Sequence, residues 1–289
     1  MPLFSRIVIV GVGLIGGSLG LAIKKRQLSE HVLGVDRCEE TLQTALRLGV
    51  IDRASTDVAE EMKVKTNNAM PELVIVATPV SLVPEHVLQV ATAMQNVLLT
   101  DVGSTKESIC SQLEQRQLPN GCRFIGSHPI AGKEKNGVEH ADANLFENRL
   151  AVVTPTASAC DEDVCLLFRF WRLLGSSVAS LSPADHDRTL ARTSHLPHLL
   201  SALLADRLQT QEAKYTGPGY HSVTRLALGS PEIWRDIVFA NAAAISEALL
   251  DYEQTLRDLR EKIEQGDEEA IVQFLEHAKR NREGLMKEQ

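Results

Sequence analysis

Short apolar runs alternate with segments of helical periodicity over the first two-thirds of the chain. These runs are residues 6–10, 31–35, 73–77, 97–100, 123–126, 150–153 and 177–181. Strands that are apolar at nearly every position are buried on both faces, which is typical of a parallel sheet covered by helices. The pattern therefore predicts an α/β domain built on a doubly wound parallel sheet.

The pattern changes at Ser182-Pro183-Ala184-Asp185, where the serine suits a helix N-cap and the proline suits the first helical position. Beyond this point apolar residues recur at helical spacing over 185–209, 233–266 and 268–286. A glycine- and proline-rich stretch at 217–220 predicts a loop between the first two of these segments. We therefore expect a dinucleotide-binding domain over 1–182 and an all-helical domain over 183–289.

A few helices over 183–289 would form only a thin apolar core, because small domains bury a small share of their surface. Packing against a second copy of the same region would complete that core. We expect a homodimer joined through the helical domain.

Composition narrows the class of protein. The 289 residues carry a formal net charge of −8 without long blocks of one sign, so neither a nucleic acid nor a membrane surface is an expected partner. The five cysteines are odd in number and lack C-x-x-C spacing, which favours free thiols in a reducing compartment. No apolar run approaches the ~20 residues of a membrane span, and the first residues lead directly into a strand. A cytoplasmic protein is expected.

The first strand ends in the G-x-G-x-x-G sequence Gly11–Gly16, and a helical pattern follows at once. Gly11 permits a tight turn, Gly13 lets a pyrophosphate approach the backbone, and Gly16 allows close packing of helix on sheet. The backbone N–H groups of this helix start, including Leu14 and Ile15, would face the phosphates. These positions predict the phosphate-binding turn of a dinucleotide site.

An acidic residue, Asp36, closes the second strand about 20 residues beyond the glycines. A carboxylate there would accept a hydrogen bond from a ribose 2′-hydroxyl and repel a 2′-phosphate, although Arg37 would soften that repulsion. Strand, turn, helix and acid together predict NAD as the cofactor. The alternative is a glycine-rich turn in an ordinary α/β protein.

Polar residues also follow later strands, at the edge where a doubly wound sheet binds its ligand. Thr78 and Pro79 follow one strand, and Asp101 begins the sequence D-V-G-S-T-K after the next. We expect Thr78, Pro79 and Asp101 to belong to the cofactor site. The sequence G-S-H-P-I-A-G follows a further strand at 126–132.

His128 is the natural candidate for a general base, because it lies on a glycine-flanked segment beyond a strand and an imidazole titrates near neutral pH. Its alternative is a structural histidine that bonds the loop backbone. Ser104 lies at the neighbouring strand end, where its hydroxyl could reach His128 or a nicotinamide. Its alternative, compatible with that role, is the N-cap of a helix beginning at Thr105.

Two further candidates lie in the helical region. His195 and Pro197 fall inside a helical pattern, where the proline predicts a kink. Arg225 follows the loop predicted at 217–220, and a guanidinium there could bind a substrate carboxylate; the alternative is a solvated surface arginine. His195 and His198 are spaced by three residues, but no further ligand recurs at metal-binding spacing, so no metal site is expected.

These motifs together resemble the prephenate/arogenate (cyclohexadienyl) dehydrogenases of tyrosine biosynthesis. The resemblance covers nearly the whole chain and rests on the sequences at 11–18, 77–80, 101–106, 126–132, 144–148, 194–198 and 230–236. The pair H-P-I-A-G and S-H-L-P-H behind a dinucleotide fingerprint is its most specific part. The resemblance implies NAD-dependent oxidative decarboxylation of prephenate to 4-hydroxyphenylpyruvate.

The resemblance also implies residue roles. His128 matches the histidine that accepts the proton of the substrate's ring hydroxyl, and Ser104 matches the serine that assists it. His195 and Arg225 match substrate-binding residues, the arginine holding a carboxylate. Glu134 matches an acidic residue at the site entrance, and Trp234 matches a tryptophan bordering the pocket.

One segment departs from the family pattern. Relatives often have a glycine and an aspartate where this chain has Pro218 and Ser222, so an ion pair that steadies the loop before Arg225 is absent. The chain ends soon after the helical segment, so we expect no appended regulatory domain or chorismate mutase.

Two other activities compete with this interpretation. A β-hydroxyacid dehydrogenase of similar architecture would use a lysine where this chain has His195, and a catalytically silent dinucleotide sensor would not need the set of His128, Ser104, His195 and Arg225. Prephenate and arogenate differ in carrying a keto group or an ammonium. Prephenate is favoured because no acid beyond Glu134 is evident for an ammonium.

Overall fold

A computed structural model describes residues 2–58, 73–133 and 135–287. Its larger sheet is parallel, with strand order β3-β2-β1-β4-β5-β6. The strands are β1 (Phe4–Val10), β2 (Ser29–Val35), β3 (Arg53–Ser55), β4 (Leu73–Val76), β5 (Leu98–Asp101) and β6 (Arg123–Phe124). The order reverses between β1 and β4, so the crevice expected for a ligand lies beyond the carboxyl ends of these two strands.

The fifth apolar run forms β6, but the segment that follows it and the last two apolar runs do not continue this sheet. They form a second sheet in which β7 (Gly126–Pro129) is antiparallel to β8 (Leu150–Thr154), and β8 is parallel to β9 (Ser177–Ser180). The Ser127 hydroxyl donates to the Asp101 carbonyl over 2.7 Å, which fastens β7 to the end of β5. Apolar runs indicate that strands are buried, but they do not specify which strand each one pairs with.

Among the described residues before 183, five helices cover the sheets, and consecutive residues of β1 face different groups of these helices. Ile7 and Ile9 belong to one buried apolar cluster, and Val8 and Val10 belong to another. Each face of the parallel sheet therefore has its own core, as the continuous apolar runs predict. The helices are α1 (Leu14–Lys25), α2 (Glu39–Arg47), α3 (Val83–Ala93), α4 (Glu107–Arg116) and α5 (Asp161–Leu173).

Helix α1 also contacts the segment that follows β7. A side chain at Gly17 would press against Val138 and Ala141, each 3.1 Å from the added carbon. The buried Ser18 hydroxyl accepts a hydrogen bond from the Asp142 backbone N–H over 2.9 Å. The helix behind the glycine turn therefore holds the segment around 138–142 in place.

Every element described from residue 183 to residue 287 is helical. The elements are α6 (Pro183–Leu190), a π-helical turn (Ala191–His195), α7 (Leu196–Arg207), α8 (Pro218–Thr224), α9 (Pro231–Ala240), α10 (Ala242–Gln265) and α11 (Glu268–Lys287), with short 3₁₀ turns at 210–215 and 225–228. Ser182 caps α6 as predicted, accepting a hydrogen bond from the Asp185 N–H over 3.1 Å. The stretch 217–220, predicted as a loop, instead begins α8, because Pro218 fits its first turn.

The chain forms two compact units, residues 1–242 and 243–289. In the second unit the joint between α10 and α11 follows from Gly266, whose positive φ of 68° favours glycine. The Asp267 N–H bonds the Lys262 carbonyl and the Gly266 N–H bonds the Ile263 carbonyl, which ends α10 in a Schellman motif. None of the described helices is long and apolar enough to cross a membrane.

Candidate active site

Two cavities open at the carboxyl edge of the sheets. The first, of about 1000 Å³, is called here the dinucleotide cleft. Among its lining residues are six of the predicted cofactor ligands: Gly11, Gly13, Asp36, Arg37, Thr78 and Pro79. It lies beyond β1 and β4, where the strand order reverses. The structure thus brings these six predicted positions together.

Each glycine of the first turn has a different steric role. Gly11 has φ +93°, and a side chain there would lie 2.7 Å from the Ala77 carbonyl oxygen. A side chain at Gly16 would collide with the Gly11 carbonyl. Gly13 faces open space, with no described heavy atom within 4 Å of an added carbon. Gly13 is therefore the position where a ligand can meet the backbone.

Helix α1 begins immediately beyond Gly13, and no side chain caps it. Leu14 and Ile15 occupy its first turn, so their N–H groups lack intrahelical acceptors. A helix start with free N–H groups is a binding site for a phosphate. The turn and helix therefore have the geometry that a pyrophosphate requires.

Asp36 is fixed at the end of β2 by both of its carboxylate oxygens. One accepts from the Val12 N–H over 2.9 Å, and the other accepts from the Cys38 N–H over 3.0 Å. Each oxygen keeps a lone pair for a further donor such as a ribose hydroxyl. The acid is thus held rigidly against the glycine turn, with exposed Arg37 beside it.

Asp101 was predicted to bind the cofactor, but the structure does not place it in the dinucleotide cleft. Its carboxylate is fully buried, forms an ion pair with Lys106 and accepts from the Gly103 N–H over 2.8 Å. The acid holds the loop between β5 and α4 rather than facing either cavity. A buried Lys106 needs such a partner, since an isolated charge inside a protein is costly.

The second cavity, of about 800 Å³, is called here the histidine cavity. Among its lining residues are five that the sequence singled out: Ser104, His128, His195, Arg225 and Trp234. They come from five separate segments of the chain, so the fold assembles them. Glu134, the sixth, lies outside the described residues.

His128 lies on β7 and is buried. Its Nδ1 is 2.9 Å from Nε2 of His186 on α6, and the two rings meet edge to face. Burial lowers the pKa of His128 well below its usual range, and the nearby positions of His186, Lys106 and His195 lower it further. The imidazole is therefore neutral at physiological pH, as a proton acceptor must be.

Ser104 does not cap helix α4, contrary to one expectation. The Lys106 N–H and the Glu107 N–H donate instead to the Asp187 carboxylate, over 2.7 and 3.0 Å. Asp187 lies 80 positions away from Glu107 in sequence, so a local pattern does not reveal it. The cap supplied from α6 leaves the Ser104 side chain to line the histidine cavity.

His195 ends the π-helical turn that precedes Pro197. The sequence predicts a kinked helix here, and the irregularity takes the form of this π-helical turn. Pro197 has no backbone N–H to donate, so the regular hydrogen-bond pattern is interrupted. Asn241 Nδ2 bonds the Asp187 carbonyl over 2.8 Å and lies 3.1 Å from His195 Nδ1. Since the amide nitrogen donates, Nδ1 accepts, and the neutral ring carries its hydrogen on Nε2.

The Nε2–H group of His195 has no hydrogen-bond partner among the described residues. Nε2 is buried and forms no hydrogen bond of acceptable geometry, although the Ser104 backbone is near enough to raise the pKa of the ring. Burial is the larger influence and lowers the pKa of His195 to about 4. A buried neutral donor that lines a cavity can bind an anionic ligand group.

Trp234 and His198 form one wall of the histidine cavity. Their rings stack with centroids 3.4 Å apart and 14° between planes. Gly229 makes this possible, because a side chain there would lie 2.6 Å from Trp234 Nε1. His198 and Gly229 also line the cavity and were not among the predicted site residues. A glycine two positions before a helix gives no sequence signal for such a contact.

Arg225 begins the 3₁₀ turn that follows α8 and lines the same cavity. The turn is fastened to α7, because the Ala227 N–H donates to the Ser201 hydroxyl over 3.2 Å. Pro218 and Ser222 lie within α8, so a short helix, rather than a loop, precedes the arginine. The turn that carries Arg225 therefore has local support from α7 and α8.

Comparisons with known proteins match this architecture. The family model described as prephenate dehydrogenase, nucleotide-binding domain, matches residues 19–180, and the one described as prephenate dehydrogenase, dimerization domain, matches residues 182–277. A prephenate dehydrogenase of Bacillus subtilis (strain 168) is 34% identical over 288 residues, covering 96% of this chain and 76% of the relative.

Solved structures agree. Prephenate dehydrogenase from Aquifex aeolicus, solved with hydroxyphenyl propionate and NAD⁺, aligns with a TM-score of 0.89 and 31% identity, covering 98% of each chain. Arogenate dehydrogenase of Synechocystis aligns with a TM-score of 0.81 and 28% identity, covering 96% of this chain and 99% of that one. The two family models match well over half of the residues and follow the order of the sheets and helices described above. The chain belongs to the prephenate dehydrogenase family.

Proposed function

We propose that this enzyme catalyses the NAD-dependent oxidative decarboxylation of prephenate to 4-hydroxyphenylpyruvate. One observation carries the proposal: a buried neutral histidine, His128, lines the same cavity as Arg225 and as His195, whose buried Nε2 has no hydrogen-bond partner among the described residues. A base and two groups suited to carboxylates match a substrate that has a hydroxyl to deprotonate and two carboxylates to bind. The relatives named above act on this class of compound.

The dinucleotide cleft fits NAD. Open space at Gly13, an uncapped start of α1 and a fixed Asp36 suit a pyrophosphate and an unphosphorylated ribose. When bound, NAD supplies the acceptor for the hydride that leaves C4 of the substrate ring.

The residues of the histidine cavity supply the remaining chemistry. His128 takes the proton of the C4 hydroxyl as that hydride leaves, and the Ser104 hydroxyl helps to orient it. The bond from C1 to its carboxylate then breaks, carbon dioxide departs, the electron pair completes the aromatic ring, and the resulting phenolate oxygen takes the proton back from His128. Since aromatisation drives the reaction, the protein supplies mainly orientation and a base worth ~10²–10⁴-fold in rate.

The charges around the cavity favour prephenate over arogenate. Its described lining includes three cationic side chains (Lys133, Arg149 and Arg225) and two acidic ones (Asp142 and Glu147). Both acids are engaged: Asp142 pairs with Lys133 at 3.0 Å, and Glu147 pairs with Arg26 at 2.6 Å. Both compounds carry two carboxylates, but the ammonium of arogenate would be repelled by these cations and would have to compete with them for the two engaged acids, whereas the keto group of prephenate carries no charge.

Steady-state assays of NADH formation at 340 nm test this choice. We expect kcat/KM for prephenate with NAD to exceed that for arogenate with NAD by tenfold or more, and to exceed that for prephenate with NADP. A Lys133→Ala variant should narrow the preference, because it frees Asp142. Equal or higher efficiency with arogenate would reverse the assignment of substrate and leave the assignment of base untouched.

The proposal includes a homodimer that forms through residues after 182. Its support is the match of residues 182–277 to a dimerization domain. Apolar side chains that are exposed in a single copy of the second compact unit add to it: Leu250, Leu256, Ile263, Val272, Leu275 and Leu285. Sedimentation equilibrium at micromolar concentration should give about twice the chain mass of 31.7 kDa, and a monomer there would contradict the proposal.

A further inference from the structure

A line of three buried side chains leads away from the proposed base. His128 contacts His186, and His186 Nδ1 lies 2.7 Å from a carboxylate oxygen of Asp187. We propose that His186 and Asp187 are positioning residues that keep the His128 proton on Nδ1 and leave the electron pair of Nε2 free for the substrate hydroxyl. The inference rests on the proposed function and goes beyond it.

The direction of each hydrogen bond follows from the carboxylate. Asp187 already accepts from two backbone N–H groups at the start of α4, one on each carboxylate oxygen. A carboxylate only accepts, so Nδ1 of His186 must donate to it. A neutral His186 then has an acceptor at Nε2, and Nδ1 of His128 must donate to that acceptor. The remaining nitrogen of His128 is left without a hydrogen.

The surroundings keep this arrangement dry. His186 and Asp187 are at most 1% exposed, and His128 is 8% exposed. The charged or titratable groups that face His128 are His186 on α6, Lys106 before α4, and His195 in the π-helical turn. Lys106 is itself paired with Asp101. The carboxylate of Asp187 is therefore the negative group best placed to stabilise an imidazolium that forms on His128 during the reaction.

Asp187 also connects the other parts of the site. Its carboxylate fixes the start of α4, just beyond Ser104, and its backbone carbonyl accepts from the Asn241 amide, which in turn contacts His195. One residue thus sets the relative positions of the base, the assisting hydroxyl and the orphan N–H donor. This explains why an aspartate follows a histidine at the middle of α6.

A pair of amide substitutions separates the two contacts of His186. In His186→Gln the terminal oxygen reaches the position of Nε2 and can still accept from His128; in His186→Asn the terminal amide occupies the position of Nδ1 and can bond only Asp187. We expect kcat within about tenfold of the parent for the glutamine variant and a loss on the order of 10²-fold for the asparagine variant. KM for prephenate should stay within about threefold in both, and melting temperatures show whether each variant folds.

Asp187→Asn and Asp185→Asn give a matched comparison on the same helix. Asp185 is exposed and bonds only local groups, so its variant should keep the parental kcat. Asp187→Asn can donate to His186 and reverse both hydrogen bonds, which would leave the hydrogen of His128 on Nε2, so its kcat at pH 7.5 should fall on the order of 10²-fold or more. Equal kcat for Asp187→Asn and the parent would overturn the proposal.

Nuclear magnetic resonance of the histidine ring nitrogens provides a test without substrate. In the parent protein at pH 7.5, we expect Nδ1 of His128 to be protonated and Nε2 to be unprotonated; in Asp187→Asn, the two tautomers should mix or exchange. A parent in which Nε2 carries the hydrogen would refute the arrangement even if prephenate is oxidised. Failure of the parent to oxidise prephenate, with the expected tautomer present, would instead refute the proposed substrate.

Discussion

The dinucleotide cleft and the histidine cavity are built in different ways. The cleft is made of backbone: a glycine turn, an uncapped helix start and one acid whose oxygens bond nearby N–H groups. The cavity is made largely of side chains, and its five predicted residues come from five separate segments. A site made of backbone is encoded by local spacing, whereas a site made of side chains depends on the whole fold. The two should therefore respond differently to single substitutions.

Replacement of the base should have the largest effect. We expect His128→Asn to lower kcat by ~10²–10⁴-fold while KM for prephenate and affinity for NAD stay within about threefold, because the imidazole acts as the proton leaves the hydroxyl. In the parent, kcat should stay level from pH 8 down through pH 6.5, since burial lowers the pKa of His128. An unchanged kcat at saturating substrate would remove His128 from the chemistry and leave the cavity as a binding site only.

Removal of the arginine should affect binding rather than turnover. Arg225→Ala is expected to raise KM for prephenate by roughly 30- to 1000-fold, equivalent to about 2–4 kcal/mol, because a guanidinium–carboxylate pair is lost in ground and transition states alike. The dissociation constant for NAD, from fluorescence titration, should not change. Arg207→Ala, at the exposed end of α7 and outside the cavity, is the matched control. A KM for prephenate within threefold of the parent value would mean that Arg225 does not contact the substrate.

Acidification should lower the free energy of unfolding through the buried histidines of the histidine cavity, before it affects the cleft. The pKa of His195 is about 4 in the folded chain, whereas an unfolded histidine titrates near 6.5. Between these values the unfolded state binds more protons, so stability is lost as pH falls through that window. The cost from His195 is about 2–3 kcal/mol between pH 7.5 and pH 4.5.

Urea denaturation of the parent and of His195→Gln at both pH values measures this cost. The variant should lose less stability on acidification than the parent. Identical losses would mean that another group dominates the acid response, with His128 and His198 the nearest candidates, since burial lowers the pKa of both.

Substitutions in the cleft should have the smallest effect on KM for prephenate. Asp36→Asn is expected to raise KM for NAD by roughly 10- to 100-fold and to shift preference towards NADP, because it removes one charged acceptor worth about 1.5–3 kcal/mol. KM for prephenate at saturating NAD should be unchanged.

Asp101→Asn is the informative comparison for the cleft, since the sequence suggested both acids as cofactor ligands. It should leave KM for NAD unchanged and lower the free energy of unfolding by about 3–5 kcal/mol, because Lys106 loses its buried partner. If Asp101→Asn instead raised KM for NAD without loss of stability, Asp101 would act as a cofactor ligand. The contrast between a cleft made of backbone and a cavity made of side chains would then not hold for this residue.

The same division explains what the sequence could predict. The glycine turn, Asp36 and the Ser182 cap depend on residues close in sequence, and the structure places each as expected. The placement of β7 to β9 in a second sheet was missed, because burial patterns do not encode strand partners. The alternative role of Ser104, as an N-cap, is wrong because Asp187, which is remote in sequence, accepts from the N–H groups at the start of α4.

His186 escaped notice for a related reason. Its spacing in α6 gives no sign of His128, which lies 58 positions earlier. The resemblance to a known family supplied Arg225 and Trp234 with roles that their local sequence alone did not distinguish from ordinary surface positions. The glycines beside Pro218 predict a loop, but a proline also favours the first turn of a helix, and the structure has that helix.

The contact between Ser18 and Asp142 has a consequence for how the protein opens. The Asp142 amide hydrogen is bonded to the buried Ser18 hydroxyl of helix α1, so its exchange with deuterium requires the segment around 138–142 to separate from that helix. Its exchange rate therefore reports on a cooperative unit that includes the glycine turn and the rim of the histidine cavity. A ligand bound at the start of α1 would slow that exchange at a distance, and the two sites would then share a single local unfolding equilibrium.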